Sequence, residues 1–556
     1  MMMKKLFCML FMAMPMLASA QGSISVNVDT VGSLASKIDE KSRFAVTSIT
    51  ISGHLNGADL KFLQQIVNRT KANAKKGEYL VSHLDLAGAT IVEGKSGMKT
   101  KANELPDGMF SGAKGLMKVS MPSGTTRIGK NCFEDCSNLI EAPIPSTVTV
   151  IEGSAFEDCE KLAVVNLPAS VKEIGSEAFE GCKSLTAIQL PEGIKEVSNS
   201  LFKSCQSLQT VKLPSTIKKI GSDAFNGCKS ISTIALPDLT EEIGNGAFED
   251  CEALTTITMN GVSKVSNNAF QGCKSLTAVA FTRLSKLGSD AFKNCISLSK
   301  ANLQGSVTEI SSSAFNGCTN LKEINIPPTV KTIGSNAFEN CKSLAALTFP
   351  TALEKVNSHA FENCTSLRQA VLPGMLKSLG SSAFQNCATL DSVTINGFIT
   401  EIASDVFRSC KSLHNVTLPA TVRKIGSKAF YECSALAGIT LPVSLTAIGD
   451  DAFEKCSSLQ SIVIPVAVTT IDGDAFYDCT LLSSVELPAA LKKIGGSAFA
   501  KCPSLRTVKL NSPNPPSISG NTFKGVVGCT FFVPKGTSSL YASHKSWKKI
   551  SNIQEQ

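Results

Sequence analysis

The sequence predicts an α/β solenoid, a rod of stacked coils with a parallel β ribbon and short helical turns. A unit well represented by LPASVKEIGSEAFEGCKSLTAIQ (167–189) occurs seventeen times between Met121 and Lys509, always with Phe-x-x-Cys at its centre. Sixteen intervals separate Phe133 from Phe499, of which fourteen are 23 residues and two are 22. Neither a long helix nor a long strand has this periodicity, and a short fixed period is typical of a solenoid.

The apolar positions of the unit predict which side chains face inward. Counted from the Leu of the Leu-Pro pair, they are positions 1, 5, 8, 12, 13, 16, 19 and 22. Position 1 is apolar in all seventeen units, and positions 13 and 16 are always Phe and Cys. One unit therefore changes direction several times around a shared interior. Because a single unit cannot bury this face alone, we expect stability to come from contacts between neighbouring coils.

Each coil is predicted to contain one strand and one helical turn. The segment SLTAIQLP (184–191) is rich in residues that favour strands, and Pro follows such a segment in thirteen of seventeen units, where it ends the strand. The segment IGSEAFEGC (174–182) begins with Gly and Ser, suited to an N-cap, and predicts a helical turn. Coils stacked at about 4.8 Å would give a ribbon roughly 80 Å long, wound with a right hand.

Two units depart from the common length. The 22-residue units at 259–280 and 281–302 lack the Leu-Pro turn. We expect the ribbon to bend or bulge there.

The unit LPxxVxxIGxxAFxxCxxLxxV closely resembles the BspA-type leucine-rich repeat of exported surface proteins in Gram-negative anaerobes and some protozoa. The match covers about 120–510, and its motif positions occur many times. The resemblance implies a leucine-rich-repeat fold. It also implies a role in adhesion to host proteins or to other bacteria. The resemblance supports the fold more strongly than the function, because one fold can serve many functions.

The two ends of the chain differ from the repeats. Residues 1–20, with Lys4, Lys5 and an Ala-Ser-Ala site before Gln21, read as a signal peptide, which predicts a secreted or cell-surface protein, with the periplasm as a further location. Residues 21–120 are predicted to form an N-terminal cap of divergent repeats, 121–509 the seventeen repeats and 510–556 a C-terminal cap. No stretch of the mature sequence is long and apolar enough to span a bilayer.

The cysteines are interpreted as buried free thiols. Seventeen of the twenty, from Cys136 to Cys502, occupy the same inward position of successive coils. Side chains that leave a ladder in parallel directions do not easily reach the dihedral angle of a disulfide, although pairing of some of them is the alternative. A zinc site at Cys132 and Cys136 lacks a second pair of ligands with matching spacing.

The sequence contains little that predicts catalysis, so we expect a protein that is not an enzyme and carries no cofactor. Its five histidines are scattered, without a repeated nucleophile beside them, and there is no phosphate-binding glycine loop. The net charge of +8 is dispersed and the aromatics are nearly all repeat phenylalanines, which argues against nucleic acid as a partner. An acidic group could bind calcium or simply cap turns; it comprises Asp450, Asp451, Asp472, Asp474 and Asp478.

The outward face of the strand, at positions 21 and 23, is the predicted surface for a partner. It is long, polar and rich in Thr. One explanation is that the face binds a partner, since solenoids bind along such faces. The alternative is that Thr occurs there because it favours strands. Two tyrosines that replace the usual polar residue after Phe add possible interface anchors. The candidate partner-binding residues are Thr210, Lys212, Thr233, Thr256, Lys300, Glu323, Gln369, Asn415, Tyr431 and Tyr477.

Three functions follow from these observations. The first is an adhesin-like binding protein that recognises a protein or glycoprotein on a host or bacterial surface. The second is a polysaccharide-binding or envelope scaffold protein, and an enzyme is the third. The identity of the ligand and the oligomeric state are not encoded in a repeated backbone.

Overall fold

A computed structural model describes residues 22–69 and 80–556, so the predicted signal peptide lies outside the described residues. Between Lys118 and Leu510 the chain is a stack of coils joined by parallel strands, as the repeat predicts. Two ribbons of strands run along this stack. Ribbon A contains the strands at positions 21–23, and ribbon B contains two-residue strands at positions 7–8.

Ribbon A is the predicted ribbon, and it is confirmed. Thr233, Ile234 and Ala235 pair in parallel with Thr256, Ile257 and Thr258 of the next coil. Its strands are Lys118–Ser120, Ala187–Gln189, Thr210–Lys212, Thr233–Ala235, Thr256–Thr258, Ala278–Leu284, Lys300–Gly305, Glu323–Asn325, Gln369–Leu372, Ser392–Ile395, Asn415–Thr417, Ser461–Val463, Ser484–Leu487, Thr507–Leu510, Thr530–Val533 and Ile553–Glu555.

Ribbon B was not predicted, because two residues are too few to show an alternating pattern. Its strands pair in parallel in the same coil-to-coil register, as Lys219 with Glu242. They are Glu104–Leu105, Arg127–Ile128, Val150–Ile151, Glu173–Ile174, Glu196–Val197, Lys219–Ile220, Glu242–Ile243, Lys264–Val265, Lys286–Leu287, Glu309–Ile310, Thr332–Ile333, Lys355–Val356, Ser378–Leu379, Glu401–Ile402, Lys424–Ile425, Ala447–Ile448, Thr470–Ile471 and Lys493–Ile494.

The predicted helical turn of each coil requires a correction. Residues 176–181 form consecutive tight turns, and Cys182 N donates to Phe179 O at 3.3 Å. Glu177 and Gly181 have φ of 62° and 70°, a left-handed conformation that a right-handed helix does not contain. The amide of Phe179 donates to Leu201 O of the next coil at 3.1 Å. The turns therefore join neighbouring coils, whereas a helix would bond within itself.

The glycine after Ile in many repeats is needed where coils approach closely. A Cβ added at Gly221 would lie 2.7 Å from the backbone nitrogen of Asn199 in the preceding coil. A side chain at this position would push the two coils apart, so glycine is used there.

The two shorter units carry the predicted irregularity. The ribbon A strand Ala278–Leu284 is seven residues long, and its pairing with Lys300–Gly305 shifts register between Phe281 and Leu284. Pro, which follows most ribbon A strands, is replaced here by Thr282. Without Pro, the strand continues into the turn and the extra pairing produces a bulge.

The interior is a column of phenylalanines beside a column of cysteines. Phe315 is fully buried and stacks on Phe292 and Phe338, with ring centroids 5.4 and 5.5 Å apart. Phe110, which precedes the first of the seventeen repeat phenylalanines by 23 residues, stacks on Phe133 with ring centroids 5.2 Å apart. Each coil thus supplies one ring to a stack that continues through the repeats.

The described cysteines are free and buried, which agrees with the interpretation as unpaired thiols. They do more than fill space, because each repeat thiol bonds the backbone of the preceding coil. The Sγ of Cys341 donates to the carbonyl oxygen of Phe315 at 3.2 Å, and the Sγ of Cys318 donates to that of Phe292 at 3.1 Å. The thiol therefore satisfies a second lone pair on a buried carbonyl.

The N-terminal region contains a parallel sheet and short helices. The strands Gly22–Val28, Val46–Leu55, His83–Asp85 and Ala89–Ile91 form a parallel sheet that continues into Lys118–Ser120. The helices are Leu34–Lys37, the 3-10 helix Ser42–Phe44 and Gly57–Val67. Asn56 and Asp59 form a capping box on the last of these helices. Asp59 is buried and its Oδ1 accepts from Leu34 N at 2.9 Å.

The C-terminal segment packs against the last coil. Phe523 stacks on Phe499 with ring centroids 5.5 Å apart, and the helix Ser538–Ser543 follows the segment VPKG (533–536). Trp547 is buried, and its indole nitrogen donates to Pro516 O at 2.7 Å. Tyr541 packs edge-on against Trp547 at 5.1 Å.

Replacing Phe315 with Ala should lower the free energy of unfolding by about 3 to 5 kcal/mol, because it opens a gap in the ring column. Phe398→Ala is the matched control, since this side chain is 66% exposed and its loss should change stability by no more than about 0.5 kcal/mol. Urea unfolding followed by circular dichroism measures both. Equal losses in the two variants would contradict the stacked interior.

The cysteine column should make the protein sensitive to alkali. Burial raises the pKa of Cys136 to about 12 and the pKa of Cys318 well above its usual value of 9.0. An unfolded thiol releases its proton near pH 9, whereas the folded one keeps it. Folding therefore binds more protons above pH 9, and each such thiol lowers the free energy of unfolding by about 1.4 kcal/mol per pH unit.

The expected result is a constant melting temperature from pH 7 to about pH 8.5 and a steep fall above about pH 9. Thermal melts at increasing pH measure this effect. A variant with four repeat cysteines replaced by Ala should show a shallower fall than the wild-type chain. The same slope in both proteins would show that the thiols are not the cause.

Candidate binding face

Ribbon A places alternate side chains in solvent along many coils. In strands such as Thr233–Ala235 the first and third residues are exposed and the middle one is buried, because successive strand residues point to opposite faces. The register puts equivalent residues of neighbouring coils side by side, as Thr233 beside Thr256. Positions 21 and 23 therefore form two exposed rows within each set of paired strands.

Eight of the ten predicted residues lie on ribbon A. They are exposed and occupy position 21, or position 23 in the case of Lys212: Thr210, Lys212, Thr233, Thr256, Lys300, Glu323, Gln369 and Asn415. The structure places Lys300 and Glu323 together, with an Nζ to Oε2 distance of 2.9 Å. Both side chains are more than half exposed, so the pair stabilises the fold by no more than about 1 kcal/mol.

The two predicted tyrosines lie in the turn segment and not in ribbon A. The hydroxyl of Tyr431 accepts from Lys455 Nζ at 2.6 Å, and Arg408 lies over its ring at 5.3 Å. Lys501 lies over the ring of Tyr477 at 5.0 Å. Both tyrosines are half-buried and already in contact with cations of neighbouring coils. The structure does not bring them together with the eight ribbon A residues.

Charge is unevenly distributed along ribbon A. The charged residues at positions 21 or 23 are Lys118, Glu141, Lys212, Lys300, Glu323, Glu486 and Lys509. Between Asn325 and Glu486 these positions carry none: Ala346, Thr348, Gln369, Val371, Ser392, Thr394, Asn415, Thr417, Gly438, Thr440, Ser461, Val463 and Ser484. Ribbon A therefore has a long uncharged stretch in its C-terminal half.

This uncharged stretch contains a cleft that the sequence analysis missed. Gly438–Thr440 forms no strand, which interrupts ribbon A between Asn415–Thr417 and Ser461–Val463. The cleft has a volume of about 670 Å³ and is lined by Asn415, Gly438, Ile439, Val443, Val463 and Val466. Gly at position 21 and Val at position 3 of two successive units, in LPVSL and IPVAV, were the available signals.

The acidic residues of the predicted calcium group are explained by the structure of the turns. Asp451 and Asp474 occupy left-handed turn positions with φ of 58° and 53°, a conformation that Asp tolerates. Asp450 Oδ1 accepts from Gly473 N at 2.9 Å. Burial, together with Asp451 and Asp450, raises the pKa of Asp474. Asp472 lies in the same turn region, and across 22–69 and 80–556 no group of His, Cys, Asp or Glu side chains could hold a metal ion.

Nucleophilic chemistry has little support among the side chains that the structure describes. The repeat thiols are buried and bonded to carbonyl groups, and burial keeps their pKa values far above neutrality, so reactive thiolate is scarce at pH 7. His359 lies 2.6 Å from Glu362, and His414 lies 3.1 Å from Asp391.

Within the described ranges no helix is long and apolar enough to cross a membrane.

Comparison with protein families gives a match over most of the chain. The model described as "BspA type Leucine rich repeat region (6 copies)" matches residues 97–209, 195–317, 285–414 and 400–530. These ranges include the whole array. No curated protein matches the chain in a sequence search.

Solved structures of bacterial leucine-rich-repeat proteins are similar to this chain. A protein from Bacteroides ovatus is 24% identical, with 80% of this chain and 90% of that chain covered and a TM-score of 0.35. A leucine-rich cell surface protein from Faecalibacterium prausnitzii is 24% identical, with coverage of 76% and 86% and a TM-score of 0.30. The leucine-rich-repeat protein of T. pallidum is 29% identical over 37% of this chain and 78% of its own, with a TM-score of 0.27.

Proposed function

Because the chain belongs to the BspA-type leucine-rich-repeat family, we propose that it is an exported, adhesin-like binding protein. It recognises a protein or glycoprotein on a host or bacterial surface through ribbon A. The signal-peptide pattern in residues 1–20 supports a secreted or cell-surface location.

The observation that carries the proposal is the regular exposure of ribbon A. Its outward rows present many side chains on a backbone held by hydrogen bonds from coil to coil. A rigid face holds its side chains in place before a partner arrives, so little conformational entropy is lost on binding. Leucine-rich-repeat and other solenoid proteins use extended faces of this kind for binding.

A binding role without catalysis agrees with the chemistry of the described residues. The described thiols are buried. Asp450 accepts a hydrogen bond in a turn, and His359 pairs with Glu362. A catalytic site needs a base within reach of a nucleophile that substrate can contact. The proposal is therefore a non-enzymatic protein.

Polysaccharide binding or an envelope scaffold is the second candidate. The amide and hydroxyl side chains of ribbon A favour it, because they can exchange hydrogen bonds with sugar hydroxyls. Asn325 Nδ2 already donates to Asn302 Oδ1 at 3.0 Å across two coils. Arrays of glycans and of purified matrix and bacterial surface proteins, probed with the 21–556 chain, separate the two candidates. Binding to neither class would contradict both.

The Lys300–Glu323 pair offers a test of which residues of ribbon A contact the partner. Lys300→Glu places two carboxylates side by side and should weaken attachment if the partner lies over this pair. The double variant Lys300→Glu/Glu323→Lys keeps the ion pair with its direction reversed, so it controls for loss of the pair. Surface plasmon resonance against the protein identified on the array gives the affinity.

Both variants should keep the wild-type melting temperature, since the pair is exposed. Replacing Tyr431 and Tyr477 with Ala tests the turn-segment tyrosines in the same assay. Unchanged attachment in any of these variants would remove the substituted residues from the binding site.

A further inference from the structure

We infer that the partner of ribbon A is an extended, uncharged segment of a protein, bound by apolar side chains over the cleft at Gly438. This inference rests on the proposed binding function. The site consists of the cleft and a group of exposed apolar residues, the apolar strip: Val443, Val463 and Val466, which line the cleft, and Val371, Met375 and Phe398 on the preceding coils.

The apolar strip is a concentration of side chains that water does not solvate well. Phe398 is 66% exposed, Val443 75%, Val463 67% and Val466 76%. Six of the fifteen exposed large hydrophobic residues in the described chain fall in this strip, between 371 and 466. Isolated exposed apolar residues need no explanation, but several that line one cleft, as Val443, Val463 and Val466 do, mark an interaction surface.

The apolar strip consists of two groups on neighbouring coils. Val371, Met375 and Phe398 lie on one side of the strand Asn415–Thr417, and Val443, Val463 and Val466 lie on the other. Val371 pairs with Thr394, and Thr394 pairs with Thr417, so position 23 forms one row through these coils. Met375 and Phe398 are 23 residues apart at position 4 of successive coils. Val443 and Val466 have the same relation at position 3 and meet Val463 in the cleft.

The lack of charged residues on this part of ribbon A indicates which kind of partner binds there. Between Asn325 and Glu486 positions 21 and 23 of ribbon A carry no charged residue. A charged partner group placed here would lose water and meet no opposite charge at positions 21 and 23. His414 also lines the cleft, but it is already paired with Asp391 at 3.1 Å. A sugar chain would bury hydroxyl groups against valine side chains, which offer no hydrogen bond. An uncharged peptide segment with apolar side chains avoids both costs.

The size of the apolar strip favours a segment over a second copy of the chain. Five coils at about 4.8 Å and roughly six residues of width at about 3.3 Å give about 500 Å². A stable interface between two folded proteins needs about 800 Å² from each partner. An extended segment of about seven residues spans the length of the strip, and the 670 Å³ cleft can accept one of its large side chains.

The test uses a phage-displayed library of random dodecapeptides, selected on the wild-type 21–556 chain. Enriched peptides should be apolar and free of charge. Val463→Lys should raise the Kd of a synthetic enriched peptide about tenfold or more, because a lysine enters the centre of the site. Gly438→Gln should have a similar effect by filling the cleft, since a Cβ at Gly438 meets no atom within 4 Å and the fold is not disturbed.

Val164→Lys is the matched control, because Val164 is a 62% exposed valine at position 21 of a distant coil. It should leave the Kd unchanged, and all three variants should melt at the wild-type temperature. An equal loss in Val164→Lys and Val463→Lys would overturn the inference, as would enrichment of charged peptides or of none.

Two further outcomes would also overturn it. One is a dimer of the wild-type chain in multi-angle light scattering that Val463→Lys dissociates, which would assign the strip to a second copy. The other is glycan binding that the same substitution abolishes. The proposed binding function is judged separately, by binding of the wild-type chain on the protein and glycan arrays. That function can therefore stand when the apolar strip is not the site.

Discussion

The constraint on which this structure depends is that every side chain of the array stacks on its own equivalent one coil away. The backbone sets the spacing through ribbons A and B and the bonds of the turn segment, such as Phe179 N to Leu201 O. Phenylalanine suits this spacing, since the column at Phe315 has centroids 5.4 and 5.5 Å apart. A neutral thiol suits it as well, because its Sγ can bond a carbonyl of the preceding coil.

Charged residues meet the same constraint less easily, because like charges would stack on each other. One solution alternates the sign from coil to coil, as Lys183 with Glu160 at 2.6 Å and Lys377 with Glu354 at 2.7 Å. Where the sign repeats, the effect is visible. Burial, together with the neighbouring Glu180 and Glu134, raises the pKa of Glu157. Neutral side chains avoid the repulsion altogether, and they occupy positions 21 and 23 of ribbon A between Asn325 and Glu486.

The sequence predicted the features that recur from one unit to the next. The period, the inward Phe and Cys positions, ribbon A and the irregularity near Phe281 all follow from comparing the units with one another. Ribbon B and the non-helical turns did not, because each involves few residues and depends on hydrogen bonds to the next coil. The position within the unit was enough to predict that eight candidate residues share one face. The contacts of Tyr431 could not be predicted in this way, because the cations that contact it come from other coils.

The same constraint explains why departures from the repeat are the places to look for specificity. Residues that follow the unit, such as Thr233 beside Thr256, are accounted for by strand preference and stacking alone. Val443, Val466 and Gly438 are not, because most units carry a polar or small residue at position 3 and a larger side chain at position 21. These substitutions add nothing to the interior and leave apolar surface in water. A partner that covers this surface supplies the stabilisation that the fold itself does not gain there.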